Sequence, residues 1–379
     1  MSELIYENRA ELRWKLLASA SAVVLSSYIS AASLARAEDA DRPTVWIQLG
    51  GQLESMQGLS SAFIVPFANA VSPTPEVYKG VSFTDAQHLP RLALDAEGKL
   101  TIQPKDSNWI ISANVRYGRS RSKRHIHNQT QGPILNYYTI YSHALYATNQ
   151  LNRAAFLDIT APSSEHHTII DFSVGRDVGI GQFGQDGSSN LNAGVRLVDF
   201  AGTSTVAIYA RPNIGIVYPP PKYALPQAEW NAYTMVAHAD RSFRGVGPSM
   251  SWNASVALMG NKQDGELAVD WTVNAALLFG RQRAKTDHST MATHYYYQAY
   301  RGPLYPSRSR DNPQRSRRVT IPNIGGSAGL SMNYPNFKLS FGYRYDAFFN
   351  AMDTGIDTRK TSNLTFQGPY ASVSIGLGG

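Results

Sequence analysis

The chain has 379 residues, a formal charge of +7 and no cysteine. The lack of thiols excludes disulfides, thiolate metal centres and cysteine nucleophiles together. No stretch beyond residue 37 approaches the ~20 apolar residues of a spanning helix, so any membrane crossing has to be made by strands.

The first 37 residues read as a cleaved export signal. Arg9, Arg13 and Lys15 form a basic start, Leu16 to Ile29 an apolar core, and Ala35-Arg36-Ala37 a small-residue cleavage site. The competing reading is a retained anchor, but the apolar run is shorter than a spanning helix. Removing this segment leaves 31 basic and 25 acidic residues, a net +6. Residues 38–379 form a single expected domain.

From Thr44 onward, apolar and polar residues alternate in segment after segment. In Thr44–Glu54, Val45, Ile47, Leu49 and Leu53 oppose Gln48, Gly50, Gln52 and Glu54. Lys99–Gln103 is a weaker strand, and Asn108–Gly118 sets Trp109, Ile111, Ala113, Val115 and Tyr117 against Ser112, Asn114 and Arg116. The same split recurs in Thr168–Asp177, Asn190–Val198, Arg244–Leu258, Glu266–Gly280, Phe337–Asp346 and Tyr370–Leu377, and Asn323–Asn333 is a second weaker strand. Period two in ten segments predicts strands. The connections alternate too. Pro104–Ser107, Val178–Ser189, Met259–Gly265 and Tyr334-Pro335 are short and rich in turn formers. Ser55–Gly98, Arg119–His167, Asp199–Phe243, Arg281–Pro322 and Ala347–Gln367 read as long loops. Short turns at one rim and long loops at the other predict an all-β antiparallel transmembrane barrel of about ten strands (8 to 14), with short periplasmic turns and long extracellular loops. A soluble β-sandwich also alternates, but it has no reason to repeat aromatic residues at both ends of the apolar face, as Trp109/Tyr117 and Phe337/Tyr345 do.

Three stretches carry a resemblance to a known family. They are Arg244-Gly245-Val246-Gly247-Pro248-Ser249, the run Asp270 to Arg281 (DWTVNAALLFGR), and the closing segments Gly342 to Phe349, Ala351 to Asp357 and Gly368-Pro369-Tyr370. The chain resembles the Legionella-type, major outer-membrane-protein-like family of pore-forming outer-membrane proteins. The resemblance implies an outer-membrane pore, assigns no catalytic residue and identifies no solute. The chain ends Leu377-Gly378-Gly379, without the terminal aromatic of many such barrels.

The face away from lipid should line a lumen. Candidate pore-lining residues are Glu54, Lys99, Arg116, Asp171, Arg196, Asp270, Lys338, Arg344 and Asp346, with Glu97 completing a balanced set. Such charges either pair across strands or act on solutes. A basic cluster, Arg308, Arg310, Arg315, Arg317 and Arg318, falls in the stretch read as the Arg281–Pro322 loop. It could funnel anions or bind lipopolysaccharide phosphates. Tyr295-Tyr296-Tyr297 beside it invites a nucleic-acid reading, which export to the cell surface opposes; no nucleic-acid partner is expected. His125-x-His127 and His166-His167 flank one long stretch and could approach each other, yet no spacing matches a metal signature, so no metal and no cofactor are assigned. Gly325-Gly326-Ser327-Ala328-Gly329 matches a nucleophile elbow literally but falls inside an alternating strand. No catalytic constellation reads as an enzyme.

The expected function is passive diffusion of small hydrophilic solutes through a polar lumen narrowed by a folded-in loop. The alternative is a closed structural or adhesive barrel acting through its surface loops. Expected partners are outer-membrane lipid and lipopolysaccharide, small solutes, and the barrel-assembly machinery during insertion. An oligomer is compatible with the pattern.

Overall fold

The computed structural model describes residues 44–58, 91–104, 109–129, 134–141, 144–152, 156–178, 187–211, 214–217, 227–261, 263–296, 305–356 and 358–377. The expected export segment lies outside them. The described residues form fourteen strands: β1 (Val45–Gln57), β2 (Arg91–Ile102), β3 (Trp109–Gln129), β4 (Ile134–Tyr141), β5 (Ala144–Asn152), β6 (Phe156–Asp177), β7 (Gly187–Arg211), β8 (Ile214–Val217), β9 (Gln227–Asn261), β10 (Gly265–Tyr296), β11 (Tyr305–Asp311), β12 (Gln314–Tyr334), β13 (Phe337–Asp353) and β14 (Thr361–Leu377).

Ten of them, β1, β2, β3, β6, β7, β9, β10, β12, β13 and β14, form a closed antiparallel barrel. Each pairs with the next barrel strand along the chain, and β14 returns to β1 from Val45 opposite Leu377 to Gln57 opposite Thr365. Closure leaves no edge of unpaired backbone facing lipid. Strands β4 and β5 make a separate hairpin, while β8 and β11 add to β9 and β10 at the far rim. The near rim carries tight turns. At the β9–β10 turn, Gly260 and Gly265 adopt φ of 86° and 119°, and Asn261 Oδ1 accepts the Asp264 N–H at 2.8 Å.

The outer face of the near half is apolar. On β10 the outward residues run Leu267, Val269, Trp271, Val273, Ala275, Leu277 and Phe279, about 40 Å of strand and about 30 Å of height at a ~40° tilt. Val273, Leu277 and Phe279 remain 51%, 42% and 52% exposed, the mark of side chains that lipid has to cover. Aromatics rim this belt: Trp109, Tyr334, Phe337, Tyr343 and Tyr345 all face outward and exposed.

The strands then continue far beyond the belt. β9 has 35 residues and β10 has 32, whereas a lipid span takes about 10. Beyond the belt the alternation keeps its period and inverts its phase. Arg281, Arg283 and Lys285 now face outward, and the inner face of β6, β7 and β9 turns largely apolar, while β10 keeps Gln282, Thr286, His288 and Thr290 inside. Two buried clusters fill the interior there. One contains Phe200, Phe243, Leu278, Phe348, Leu364 and Phe366; the other, farther from the belt, contains Leu157, Ile159, Val206, Ile208, Tyr233 and Met235. A wall that has left lipid gains by exposing its polar face to water and packing its apolar face inside.

All five of the expected long loops are corrected, and Ala347–Gln367 gives its ends to β13 and β14. Ser55–Gly98 gives its ends to β1 and β2; Arg119–His167 gives way to β3, the β4–β5 hairpin and β6; Asp199–Phe243 to β7, β8 and β9; and Arg281–Pro322 to β10, β11 and β12. The basic cluster is therefore on strands and not on a loop: Arg308 and Arg310 on β11, Arg315, Arg317 and Arg318 on β12.

Candidate functional site in the barrel lumen

Inside the lipid belt the inner wall is polar and encloses a cavity of about 480 Å³. Near the turn rim it is lined by small hydroxyls and amides that satisfy one another. Ser112 and Ser173 share a hydrogen bond at 2.8 Å, Gln48 donates to Ser372 at 3.0 Å, and Thr272 donates to Asn253 at 2.9 Å. Lys99, Arg116, Asp171, Arg196, Asp270, Lys338, Arg344 and Asp346 all line this cavity. Glu54 faces the same interior but sits fully buried beyond it.

Four of the five wall cations are paired across strands. Lys338 meets Asp270 at 2.6 Å, Arg344 meets Glu97 at 2.7 Å, Arg116 meets Asp346 at 2.7 Å, and Arg196 meets Asp171 at 2.7 Å. Arg196 also donates to Asn274 at 2.9 Å and to Asn323. Paired this way, the wall presents polar surface with little net field.

Above the charges the lumen is shut. Phe200 meets Phe348 edge-on at 4.7 Å and Phe366 at 5.5 Å, and all three are fully buried. A folded-in connection adds to the closure. At Asn350 β13 takes a left-handed φ of 56°, which asparagine tolerates, and its register with β14 shifts. The chain beyond turns inward, so that Ala351 to Ile356 are buried and Ile356 joins the outer apolar cluster. Arg315 pins it, donating to Asp353 at 2.9 Å and to the carbonyls of Gly355 and Ile356 at 2.7 and 2.6 Å.

Between the charges and the aromatic closure lie Glu54, Asp95 and His167. One potential ligand atom from each stands within 4.8 Å of the other two, and all three side chains are buried. Sequence reasoning raised His167 only beside the His125 pair and missed Asp95 and their meeting, because both lay at the ends of presumed loops. The signal was present at Leu92 and Leu94, which continue the outward apolar register of β2 past Asp95 and stay 69% and 76% exposed. The two histidine pairs are not brought together. His125 lies opposite Thr160 and His167 opposite Gly118, about 23 Å apart along β6. His125 bonds Asp158 at 2.6 Å on the outer surface. Ser327 sits mid-strand on β12 and lines the cavity, in no strand-to-helix turn.

Outside, just beyond the belt, Arg244, Arg281 and Arg318 stand directly opposite one another on β9, β10 and β12. They make a row of three outward guanidiniums, with Asp199 pairing Arg244 at 2.9 Å.

A closed barrel with a lipid-facing apolar belt, aromatic rims and a polar interior is an outer-membrane β-barrel. Residues 115–376 match the profile of the Legionella pneumophila major outer membrane protein precursor, and the chain belongs to that family. No curated protein matches it. Among solved structures, it is similar to the transport unit of the autotransporter AIDA-I from Escherichia coli, at 7% identity over 93% of this chain and 98% of that one, TM-score 0.21. It is also similar to the CymD monoaromatic hydrocarbon channel, at 11% identity over 89% of each chain, TM-score 0.20. A third is the Ralstonia pickettii toluene transporter TbuX, at 8% identity over 88% of this chain and 90% of that one, TM-score 0.19. At such scores these likenesses carry no argument about a solute.

Proposed function

We propose that this outer-membrane protein is a pore for passive diffusion of small hydrophilic solutes, and that the described conformation is its shut state. The observation behind this reading is the polar cavity of about 480 Å³ within the belt, lined by paired charges and small hydroxyls. A ten-stranded barrel needed only as a structural plug could fill that space with apolar side chains, as its own outer half does. Opening would require the inward connection held by Arg315 and the phenylalanines beneath it to move aside. The protein is not an enzyme in this reading. It reaches the outer membrane through an N-terminal export signal and the barrel-assembly machinery, and it contacts lipopolysaccharide along the arginine row.

The second reading is a closed barrel that acts through its outward sheet and loops; the buried Phe200, Phe348 and Phe366 favour it. Single-channel recording of the refolded mature chain separates the two. The expected result is small, infrequent steps from the native protein and larger or more frequent steps from Phe348→Ser. In a salt gradient the reversal potential should stay near zero if the paired wall dominates, and shift towards anions if exposed Arg308, Arg317 and Arg318 govern the mouth. Silence from both proteins, folded and inserted, would overturn the pore.

A further inference from the structure

Glu54, Asp95 and His167 come from three strands, β1, β2 and β6, and β3 lies between the last two. They meet because β3 offers Gly118 in the row Asp95, Gly118, His167. The imidazole lies flat over that glycine: a Cβ built there would stand 2.2 Å from its Cε1. Phe366 covers the other side of the ring, with centroids 4.4 Å apart. So packed, the ring presents Nδ1 to Glu54 Oε1 at 3.6 Å and Nε2 to Asp95 Oδ2 at 3.7 Å. Both separations are too long for hydrogen bonds.

Both oxygens of Glu54, both oxygens of Asp95 and both nitrogens of His167 are buried and make no hydrogen bond. Gln52 Oε1 and Ser120 Oγ nearby share that condition. Buried carboxylates left this way carry a large desolvation cost unless a cation or a proton meets them. The cation in contact is Arg116, which reaches Asp95 at 3.5 Å but gives its short bond of 2.7 Å to Asp346. Three carboxyl groups, those of Glu54, Asp95 and Asp346, thus stand around the one guanidinium of Arg116.

We infer that Glu54, Asp95 and His167 form a buried binding site for one divalent transition-metal ion of the Zn²⁺ class, set between the polar cavity and the aromatic closure. Two carboxylates and one imidazole are a donor set that Zn²⁺ accepts, with water filling the remaining position. Ligands of one Zn²⁺ stand about 3.3 Å apart, so atoms within 4.8 Å of one another need to close by about 1.5 Å at most. One ring nitrogen of His167 takes the ion beside one oxygen from each carboxylate. Arg116 lines the cavity and touches Asp95, so the ion enters from the turn-side cavity past this side chain. The bound ion ties β1, β2 and β6 together directly beneath the closure. The site does not depend on whether the lumen conducts.

The test is metal content of the full mature chain, isolated as the folded barrel and then exposed to equimolar Zn²⁺. About one ion per chain is expected by mass spectrometry, with a zinc absorption edge fitted by one nitrogen and oxygen neighbours near 2.0–2.2 Å. His167→Gln and Asp95→Asn should each lower affinity at least about tenfold. His125→Gln and His238→Gln, both on the outer surface, should leave it unchanged. Stripping the ion from the native chain with a chelator should lower its thermal midpoint, a readout that needs no variant to fold. The inference is overturned if the folded native chain binds no Zn²⁺ and is insensitive to chelator, or if His167→Gln binds as tightly as the native chain.

Discussion

Gly118 is where a single missing Cβ decides what its neighbours can do. An alanine there would drive into the His167 ring, held on its far side by Phe366, whereas a Cβ at Gly98 on the lipid face meets nothing closer than Leu49 Cδ2 at 4.0 Å. Gly118→Ala should therefore destabilise the barrel by about 1–3 kcal/mol, the usual cost of overpacking, and Gly98→Ala by less than about 0.5 kcal/mol. Unfolding in detergent measures both. On the outer sheet, His238 Nε2 lies 3.4 Å from Asp240 Oδ1. The hydrogen bond with Asp240 holds the imidazole above the ordinary histidine range, and the same bond holds the Asp240 carboxyl below the ordinary carboxylate range. The raised histidine stabilises most at low pH and loses that contribution as pH rises through its folded value. The lowered carboxyl stabilises at higher pH and loses it as pH falls through its own. The pair is thus intact between those two limits. Both groups are about half exposed, so its worth is at most about 1 kcal/mol. Asp240→Asn should shift the His238 titration, followed by ring-proton NMR, to lower pH; an unmoved midpoint would show that Asp240 does not set it. The wall charges were legible because Arg116, Asp171 and Asp270 interrupt apolar alternation at every second residue. Asp95 and His167 were not, since nothing local says that a glycine on the strand between them makes room for a ring.

At the level of the strand, the register is one continuous pattern whose phase marks where the lipid ends. Val273 points outward from the middle of the belt on β10, and Ser289 points outward from the same strand well beyond it. Val273→Lys should cost about 2–4 kcal/mol in lipid vesicles and Ser289→Lys almost nothing, because a lysine is expensive only where hydrocarbon surrounds it. Reversible unfolding from vesicles tests this, and equal costs would displace the belt. The inversion also explains which elements could be read from sequence. Leu267 to Phe279 announce a strand because the outward residues are the apolar ones, as expected of a wall in lipid. Tyr233, Met235, Ala237 and Ala239 alternate just as strictly, but with the apolar face inward and His238 and Asp240 outside. A search for lipid-facing strands passes over that segment and leaves a loop, although period two alone would have extended β9 across it. The hairpin turn after Tyr334 and the closure of β14 on β1 followed from turn chemistry and strand count. The inward bend at Asn350 did not, since it depends on a partner, Asn363, that accepts the Asn350 N–H at 2.8 Å.

The molecule as a whole is polarised along its axis: an apolar belt at the turn end, then a ring of outward charge, then a sheet with a soluble protein's polarity. The sharpest marker of that boundary is the row Arg244, Arg281 and Arg318, joined on its far side by Asp199 and, two strands further, by Tyr117. Like charges directly opposite on neighbouring strands repel, so in the absence of an anion the row is a liability. Arg244 is relieved by Asp199 at 2.9 Å, but Arg281 stands between two other guanidiniums. Its position at the edge of the belt is where the phosphates of an outer-leaflet lipid would lie, and guanidiniums bind phosphate through paired, charge-assisted hydrogen bonds. The two effects have opposite signs, which makes the partner testable by one substitution. In lipopolysaccharide-free detergent, Arg281→Gln should raise the thermal midpoint by relieving repulsion. With lipopolysaccharide added, the order should reverse, the native chain gaining more than the variant, and the difference should shrink as salt screens the contact. A variant that keeps the same advantage or the same deficit under both conditions would mean that the row meets no phosphate. The boundary would then be set by the apolar belt alone.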